Sequence, residues 1–384
     1  MRLLIAGGGT GGHIYPALAV ARALRDRPNP PELAWLGGYR GLEAALVRAA
    51  GIHVRRLALR SLRSVDMSVH TILDPLRLAA SVPQAAAILA RERPAAIFTT
   101  GGYVAVPTLM AAAPLRIPVI LWDGNVVPGR AVRLTARLAT AIAVSYEATG
   151  TALGGAGKPW YLTGTPIRDV REISREAARS RLDLPADGPV MLIFGGSQAV
   201  RRFNAAVTEA LPRLVARGHL IHVSGDDGYA AALAAREQLP SDDRPRYRPY
   251  PFLRDDMLAA LVAADLVIGR AGSSTLAEVA ALGIPSVIVP YPHASGHQTA
   301  NARVLASAGA ARLVPDEAFD ADALVDAADL LADSEARARM AEAARAFGRP
   351  GAAEAVAALV VAAAEHRPLP EAAEIERLSK CIAT

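Results

Sequence analysis

Twice along this chain a short apolar run ends in a glycine-rich turn that opens a helical stretch. Arg2–Ala6 precedes Gly7-Gly8-Gly9-Thr10-Gly11-Gly12-His13, and Val190–Phe194 precedes Gly195-Gly196-Ser197-Gln198. A strand that feeds a helix through glycines is the opening unit of a parallel α/β sheet. The alternation continues around both openings. Apolar runs predict strands at 2–6, 33–36, 54–57, 96–99, 118–122 and 141–144, then at 190–194, 220–224, 266–269 and 286–289. Helical periodicity predicts helices at 16–25 and 42–50, and later at 201–215, 255–263, 275–281 and 298–308.

Between the two series, residues 154–166 turn to Gly, Pro and Thr. The expected organisation is therefore a Rossmann-like domain over 1–165, a second over 166–348, and a helical segment over 349–384. That last segment follows Gly348-Arg349-Pro350-Gly351 and opens with an Ala-rich helix at 352–365. Ligands of doubly wound sheets sit beyond the carboxyl ends of the strands, so a cleft between the halves is the expected site.

Composition narrows the function classes. Of 384 residues, 52% are hydrophobic and 21% charged, enough for a sizeable core and against disorder. The net charge of +5 is too weak to argue for nucleic acid, yet suits an acidic ligand or an anionic membrane surface. The single cysteine, Cys381, allows neither an internal disulfide nor a cysteine-based zinc site. The apolar start at Met1 is too short for a signal peptide, and no run reaches the ~20 apolar residues of a membrane span. The longest candidate, 104–122, is interrupted by Pro107, Pro114, Arg116 and Pro118.

The glycine turns carry the chemistry. In the first, the glycines let backbone N–H groups approach a phosphate at a positive helix end, although the same residues could form a tight strand–helix turn with no ligand. It lacks the Lys-Ser/Thr of a Walker A loop. It also lacks the acidic residue that ends the second strand of a dinucleotide-binding unit, where Gly37 and Gly38 stand instead, which weighs against an oxidoreductase. His13 follows, where a positive helix end disfavours imidazolium and suits a neutral general base, the other reading being an N-capping or packing histidine. Ser197 offers a donor in the second turn. A third loop, Arg270-Ala271-Gly272-Ser273-Ser274-Thr275, presents Ser273, Ser274 and their amides to a diphosphate. Glu278 falls one turn further on the same face, where a carboxylate suits two adjacent ribose hydroxyls.

Other polar groups cluster at predicted strand ends. Gln298, in the run from Pro290 to Asn301, can bond sugar hydroxyls. His293 and His297 are spaced as a metal pair, but Gly and Ser between them indicate a loop without a carboxylate partner, and no metal is expected. Asp320 and Asp322 match a carboxylate pair formally but open an amphipathic helix, where they favour the helix dipole. Asp123 and Asn125 end the 118–122 strand, and Arg168 sits at the hinge, placed to neutralise a diphosphate. Over 60–93, apolar residues rimmed by arginines suit either an anionic bilayer surface or an ordinary core-packed helix.

Four segments carry a family resemblance: GGGTGGHIYPALAVA at 7–21, GGYVAVP at 101–107, GGSQ at 195–198 and AGSSTLAEVAALGIPSVIVPYPHASGHQTANA at 271–302. In order and spacing they resemble the MurG family of bacterial N-acetylglucosaminyltransferases. The resemblance implies a GT-B fold whose C-terminal helix returns to the N-terminal domain. It also implies UDP-N-acetylglucosamine as donor, and as acceptor an undecaprenyl-diphosphate-linked N-acetylmuramyl-pentapeptide, the lipid-linked peptidoglycan precursor. Thr10, Gly11, Gly12, Asn125, Arg168, Ser197, Ser273, Ser274 and Gln298 would contact the donor, Glu278 its ribose, and the backbone at Phe252 and Leu253 its uracil. Gly101, Gly102 and Tyr103 would face the acceptor. His13, or less directly Asp123, would be the base, with no cofactor, on the cytoplasmic face of the plasma membrane. Alternatives left open are a related GT-B transferase with another donor or lipid acceptor, and a non-catalytic nucleotide-sugar-binding protein. This chain departs from the family at Ala105-Val106, where Ser-Gly is usual. It departs again at Ala199-Val200 after GGSQ, at Trp122-Asp123-Gly124 before Asn125, and at Thr165 before Pro166.

Overall fold

The computed structural model describes residues 1–38, 43–59, 69–195, 200–253, 255–292 and 296–381. Its strands form two parallel sheets. In the first, β1 (Arg2–Ala6), β2 (Glu32–Gly38), β3 (His53–Leu57), β4 (Ala96–Thr99), β5 (Val119–Asp123), β6 (Ala141–Val144) and β7 (Trp160–Leu162) lie in the order β3-β2-β1-β4-β5-β6-β7. In the second, β8 (Val190–Phe194), β9 (His219–Val223), β10 (Tyr247–Tyr250), β11 (Leu266–Gly269), β12 (Ser286–Ile288) and β13 (Arg312–Leu313) lie in the order β10-β9-β8-β11-β12-β13. The chain divides into two compact units, Met1–Arg168 with Arg349–Thr384, and Asp169–Gly348.

Each sheet reverses its winding once, between β1 and β4 in the first unit and between β8 and β11 in the second. At such a switch the two neighbouring loops turn away to opposite faces and leave a crevice at the carboxyl ends of the strands. The glycine turn at 7–10 and the Thr100–Gly101 turn flank the first switch. The turn that begins at Gly195 and the 270–272 turn flank the second.

Both faces of each sheet are covered, which is why the strands read as almost unbroken apolar runs. Leu3 and Ile5 enter one layer with Val20, Leu24 and Trp35, while Leu4 and Ala6 enter the other with Val104 and Leu109. In the second unit Met191 and Ile193 pack with Phe203 and Val207, and Leu192 and Phe194 with Ala260 and Val279.

Several elements differ from the expectations. The first helix spans Gly11–Arg25 and contains Pro16 instead of beginning there. A proline at the sixth helical position gives up one ladder bond in the second turn, and the helix continues through it. Pro107 is likewise inside a helix, Gly102–Ala112, so the 104–122 stretch is a buried helix followed by β5. Strands β7, β10 and β13 have three, four and two residues, too few for a readable period. Residues 60–68 lie outside the described part. Of the rest of 60–93, the helix Val69–Glu92 buries Ala85 and Leu89, and Glu92 pairs with Arg2 and with Arg55 (2.6 Å).

One stretch, Ser334–Ala364, has the length and apolar character of a membrane span. It is two helices, Ser334–Phe347 and Ala352–Ala364, separated around Gly348–Gly351. The second is an interior helix of the first unit, packed on the helix Gly11–Arg25 and on β4 and β5, with Val356, Leu359 and Val360 fully buried.

Candidate active site

In the first unit the site begins with a reciprocal clasp. His13 is the third residue of its helix, and its ring Nδ1 lies 2.7 Å from the carbonyl oxygen of Thr100. The Thr100 hydroxyl in turn donates to the His13 carbonyl at 3.0 Å. A carbonyl can only accept, so Nδ1 carries the proton, and in the neutral ring Nε2 is left as an acceptor. The ring edge that carries Nε2 runs beside Gly102, where a Cβ would sit 3.6 Å away. Trp35 fixes the preceding turn by donating from its indole to the Gly7 carbonyl at 2.9 Å. Thr10 and Gly12 are exposed at the start of the helix, and no side chain caps it.

Tyr103 lies across this turn. A Cβ on Gly38 would meet its hydroxyl oxygen at 2.3 Å, and one on Gly9, where φ is +100°, would meet its ring at 3.1 Å. Gly37-Gly38 therefore stands where a dinucleotide-binding unit would carry an acid because the ring of Tyr103 occupies that space. Gly101 and Gly102 both hold positive φ, which lets the chain leave β4 and enter the helix Gly102–Ala112 directly.

At the end of β5, Asp123 is 4% exposed and has both oxygens engaged. Oδ1 accepts from the Asn125 amide at 2.9 Å and its side-chain nitrogen at 3.2 Å, and Oδ2 accepts from Gly129 N at 3.0 Å. Burial pushes its carboxyl up, against the two backbone amides and the positive charge of His13. Asp123 thus builds the 123–129 turn and sits within electrostatic reach of His13. Asn125 is part-exposed on that turn, and its carbonyl accepts from the Thr149 hydroxyl at 2.6 Å. Arg168, half-buried, is the last residue of the unit's first segment.

In the second unit the helix Ser273–Leu282 starts directly after the β11 turn, with Gly272 at its N-cap. Glycine has no side chain to occupy the first-turn amides, so they remain as donors to an anion. The Ser274 hydroxyl is shielded from solvent and makes no hydrogen bond among the described residues. Glu278 lies one turn on and is 7% exposed, a buried carboxylate and not a surface side chain. Gln298 Oε1 accepts from Tyr291 N at 2.9 Å, which braces the loop after β12 and leaves the amide nitrogen as a donor. Phe252 is 45% exposed just after β10, while Leu253 is buried. Ser197, Gln198 and His293 lie outside the described residues. Among the described residues no group of three potential metal ligands assembles, and Asp320 caps the helix Ala321–Ala328 by accepting from Ala323 N at 2.9 Å.

Sequence reasoning passed over Arg270. Its guanidinium is buried and donates to Asp316 at 2.5 Å and to the Val289 carbonyl at 3.2 Å. It also lies over the rings of Phe203 and Tyr291. It ties together the turns after β11 and β12. Its only sequence signal was its place immediately before the Ala271-Gly272-Ser273 turn.

Comparison with known proteins gives one consistent result. Residues 3–144 match the glycosyltransferase family 28 N-terminal domain, and residues 190–356 the glycosyltransferase family 28 C-terminal domain. The UDP-N-acetylglucosamine–N-acetylmuramyl-(pentapeptide) pyrophosphoryl-undecaprenol N-acetylglucosamine transferase of Desulforamulus reducens is 35% identical, over 92% of this chain and 96% of that protein. The enzyme of the same name from Moorella thermoacetica is 37% identical, over 95% and 100%. The crystal structure of Acinetobacter baumannii MurG superposes with a TM-score of 0.72 at 29% identity, covering 94% of this chain and 99% of that one. The two parallel-sheet units are those of the GT-B fold. Matched in both halves and along nearly the full length of these relatives, the chain belongs to the MurG family of glycosyltransferases.

Proposed function

We propose that this protein moves N-acetylglucosamine from UDP-N-acetylglucosamine to the 4-hydroxyl of undecaprenyl-diphosphate-linked N-acetylmuramyl-pentapeptide. The observation that carries the mechanism is the clasp between His13 and the Thr100 carbonyl. It fixes the tautomer in which Nε2 can take a proton. The acceptor oxygen attacks the anomeric carbon, the bond from that carbon to the UDP oxygen breaks, and the hydroxyl proton passes to His13 Nε2. A single displacement inverts the configuration at that carbon.

The second unit would hold the donor. The open amides after Gly272, the Ser273 and Ser274 hydroxyls and Arg168 would meet the growing charge on the diphosphate. Glu278 would take the ribose hydroxyls, the backbone at Phe252 and Leu253 the uracil, and Ser197 and the Gln298 amide the remaining polar groups. In the first unit, Thr10, Gly11, Gly12 and Asn125 would approach the transferred sugar, with Asp123 shaping that turn and balancing charge on His13. Gly101, Gly102 and Tyr103 would face the acceptor.

The protein would sit peripherally on the cytoplasmic face of the plasma membrane. Exposed Val127, Leu134 and Leu138 beside exposed Arg130, Arg133 and Arg137 support this, since apolar groups set among cations suit an anionic bilayer. The test is a transfer assay with labelled UDP-sugars and the lipid-linked acceptor, with and without a chelator. Transfer of N-acetylglucosamine in preference to other sugars, unchanged by chelation, is expected. Transfer of a different sugar, or none, would redirect the assignment to one of the alternative GT-B roles.

A further inference from the structure

A cavity of about 520 Å³ opens on the second unit at the opposite end of its sheet from the donor loops. Ala264 and Asp265 immediately precede β11, and Pro285 immediately precedes β12, so the cavity lies at the amino ends of these strands. Nothing in the proposed transfer uses it.

Its walls are aliphatic and its charges are unequal. Leu261, Val262, Leu282, Ile284 and Pro285 form one side. The helix Ser334–Phe347 forms the other, presenting Arg337, Ala338, Ala341 and Arg345 along one face. Arg175 and Asp265 complete the lining. Asp265 is already committed: it accepts from Arg175 at 2.6 Å, from Arg179 at 3.4 Å and from Val190 N at 2.9 Å. Among the described residues no carboxylate pairs with Arg337 or Arg345, and Arg337 Nε is shielded from solvent without an acceptor. The lining therefore carries three arginines against one aspartate.

One plain explanation covers part of this. The Arg345 stem lies over Gly283, whose left-handed φ of +65° ends the helix Ser273–Leu282, and a cation there suits a helix C-terminus. It does not account for Arg337, two helical turns away and about 12 Å along the axis. Ala338 and Ala341 lie between Arg337 and Arg345 in the chain, on the same face of that helix and in the same lining.

We infer that this cavity binds a phosphate ester, its charged oxygens on the guanidinium groups that Arg337 and Arg345 bring to the lining and its carbon body against the aliphatic side chains. Guanidinium groups bind phosphate through paired N–H donors, and mostly apolar concavities with a few placed cations are characteristic of small-ligand sites. The same headgroup chemistry occurs in a free sugar or glycerol phosphate and in an anionic phospholipid. The site is independent of the transfer reaction.

The test uses the full-length protein with saturating UDP present, which blocks the donor site. Glycerol 3-phosphate is titrated by calorimetry, and vesicles of phosphatidylglycerol are compared with phosphatidylcholine by co-sedimentation, every protein in the vesicle arm carrying Arg130→Gln, Arg133→Gln and Arg137→Gln so that the first unit's cationic surface does not contribute. Wild type is expected to bind one of these probes. Arg337→Gln with Arg345→Gln is expected to weaken that binding at least tenfold, and Arg337→Lys to keep part of it, with transfer activity in detergent unchanged. Loss of glycerol phosphate binding assigns a soluble ester, and loss of vesicle binding alone assigns the lipid headgroup; both support the site. Binding of neither probe by wild type, or equal binding by the double variant, overturns it.

Discussion

His13 and Thr100 hold each other at two points, ring nitrogen to carbonyl at 2.7 Å and hydroxyl to carbonyl at 3.0 Å, across 87 residues of sequence. The pair joins the turn after β1 to the turn after β4, the two strands at the switch of the first sheet. It does so through backbone oxygens, so the proton on Nδ1 is fixed by the fold and not by another titrating side chain. Thr100→Val removes one of the two bonds and leaves the Thr100 carbonyl in place. It is expected to lower stability by about 1 kcal/mol and to keep most of kcat, as read by thermal unfolding and steady-state transfer.

Tyr103 and Gly38 compete for the same space. Gly38 has no positive φ, so a substitution there acts through the ring alone. Gly38→Ala is expected to destabilise the first unit by roughly 1–3 kcal/mol. Adding Tyr103→Ala should recover most of that loss while reducing activity toward the acceptor. Equal stability of Gly38→Ala and wild type would show that the ring is not held there.

Ser274 and Glu278 separate two contributions to donor affinity. Glu278→Gln removes the charge from a hydrogen bond and is expected to raise the KM for UDP-N-acetylglucosamine roughly 10- to 100-fold. Ser274→Ala, which loses a neutral partner, should raise it about 2- to 10-fold. Wild type should also discriminate against a donor with a 2′-deoxyribose, and Glu278→Gln should not. If Glu278→Gln discriminates as strongly as wild type, Glu278 does not read the ribose.

The folding pattern was legible in the sequence where a period could repeat. β1 beyond Arg2, β8 and β11 are unbroken apolar runs, each followed by a glycine-containing turn and a helix, whereas β10 has the same length as β11 but carries Arg248 and Pro249. The candidate donor loop at Ser273–Glu278 could be read as a strand end followed by a helix start. What was not legible depends on partners distant in the chain or on backbone atoms. Nothing near His13 signals that its partner is the carbonyl of Thr100. Gly38 reads as a missing acid until Tyr103 is seen against it. Arg270 looks like one more loop cation, although Asp316, Phe203 and Tyr291 bury it. Proline misled at Pro16, expected to begin a helix that in fact begins at Gly11, and Pro107 too is accommodated inside a helix.

His222 makes the second unit acid-sensitive. It is buried between Tyr247, whose hydroxyl lies 2.9 Å from Nδ1, and Asn204, whose Oδ1 lies 3.1 Å from Nε2. Burial pushes its pKa down to about 4. Below the ordinary histidine value of about 6.5 the unfolded chain takes a proton that the folded chain refuses. Stability from this group is therefore full above that pH, falls as pH drops toward 4, and is lost below it, by about 3 kcal/mol in all. His222→Gln cannot titrate, so its urea midpoint should change less between pH 7 and 4.5 than that of wild type. Parallel slopes for the two proteins would count against this assignment.

The role of His13 is tested most directly by His13→Ala in the transfer assay, with donor and lipid-linked acceptor each varied. The clasped imidazole, acting as general base, predicts a fall in kcat of roughly 10²- to 10⁴-fold, with the KM for the donor little changed and the fold intact. A His13→Ala protein that transfers N-acetylglucosamine at the wild-type rate would contradict it.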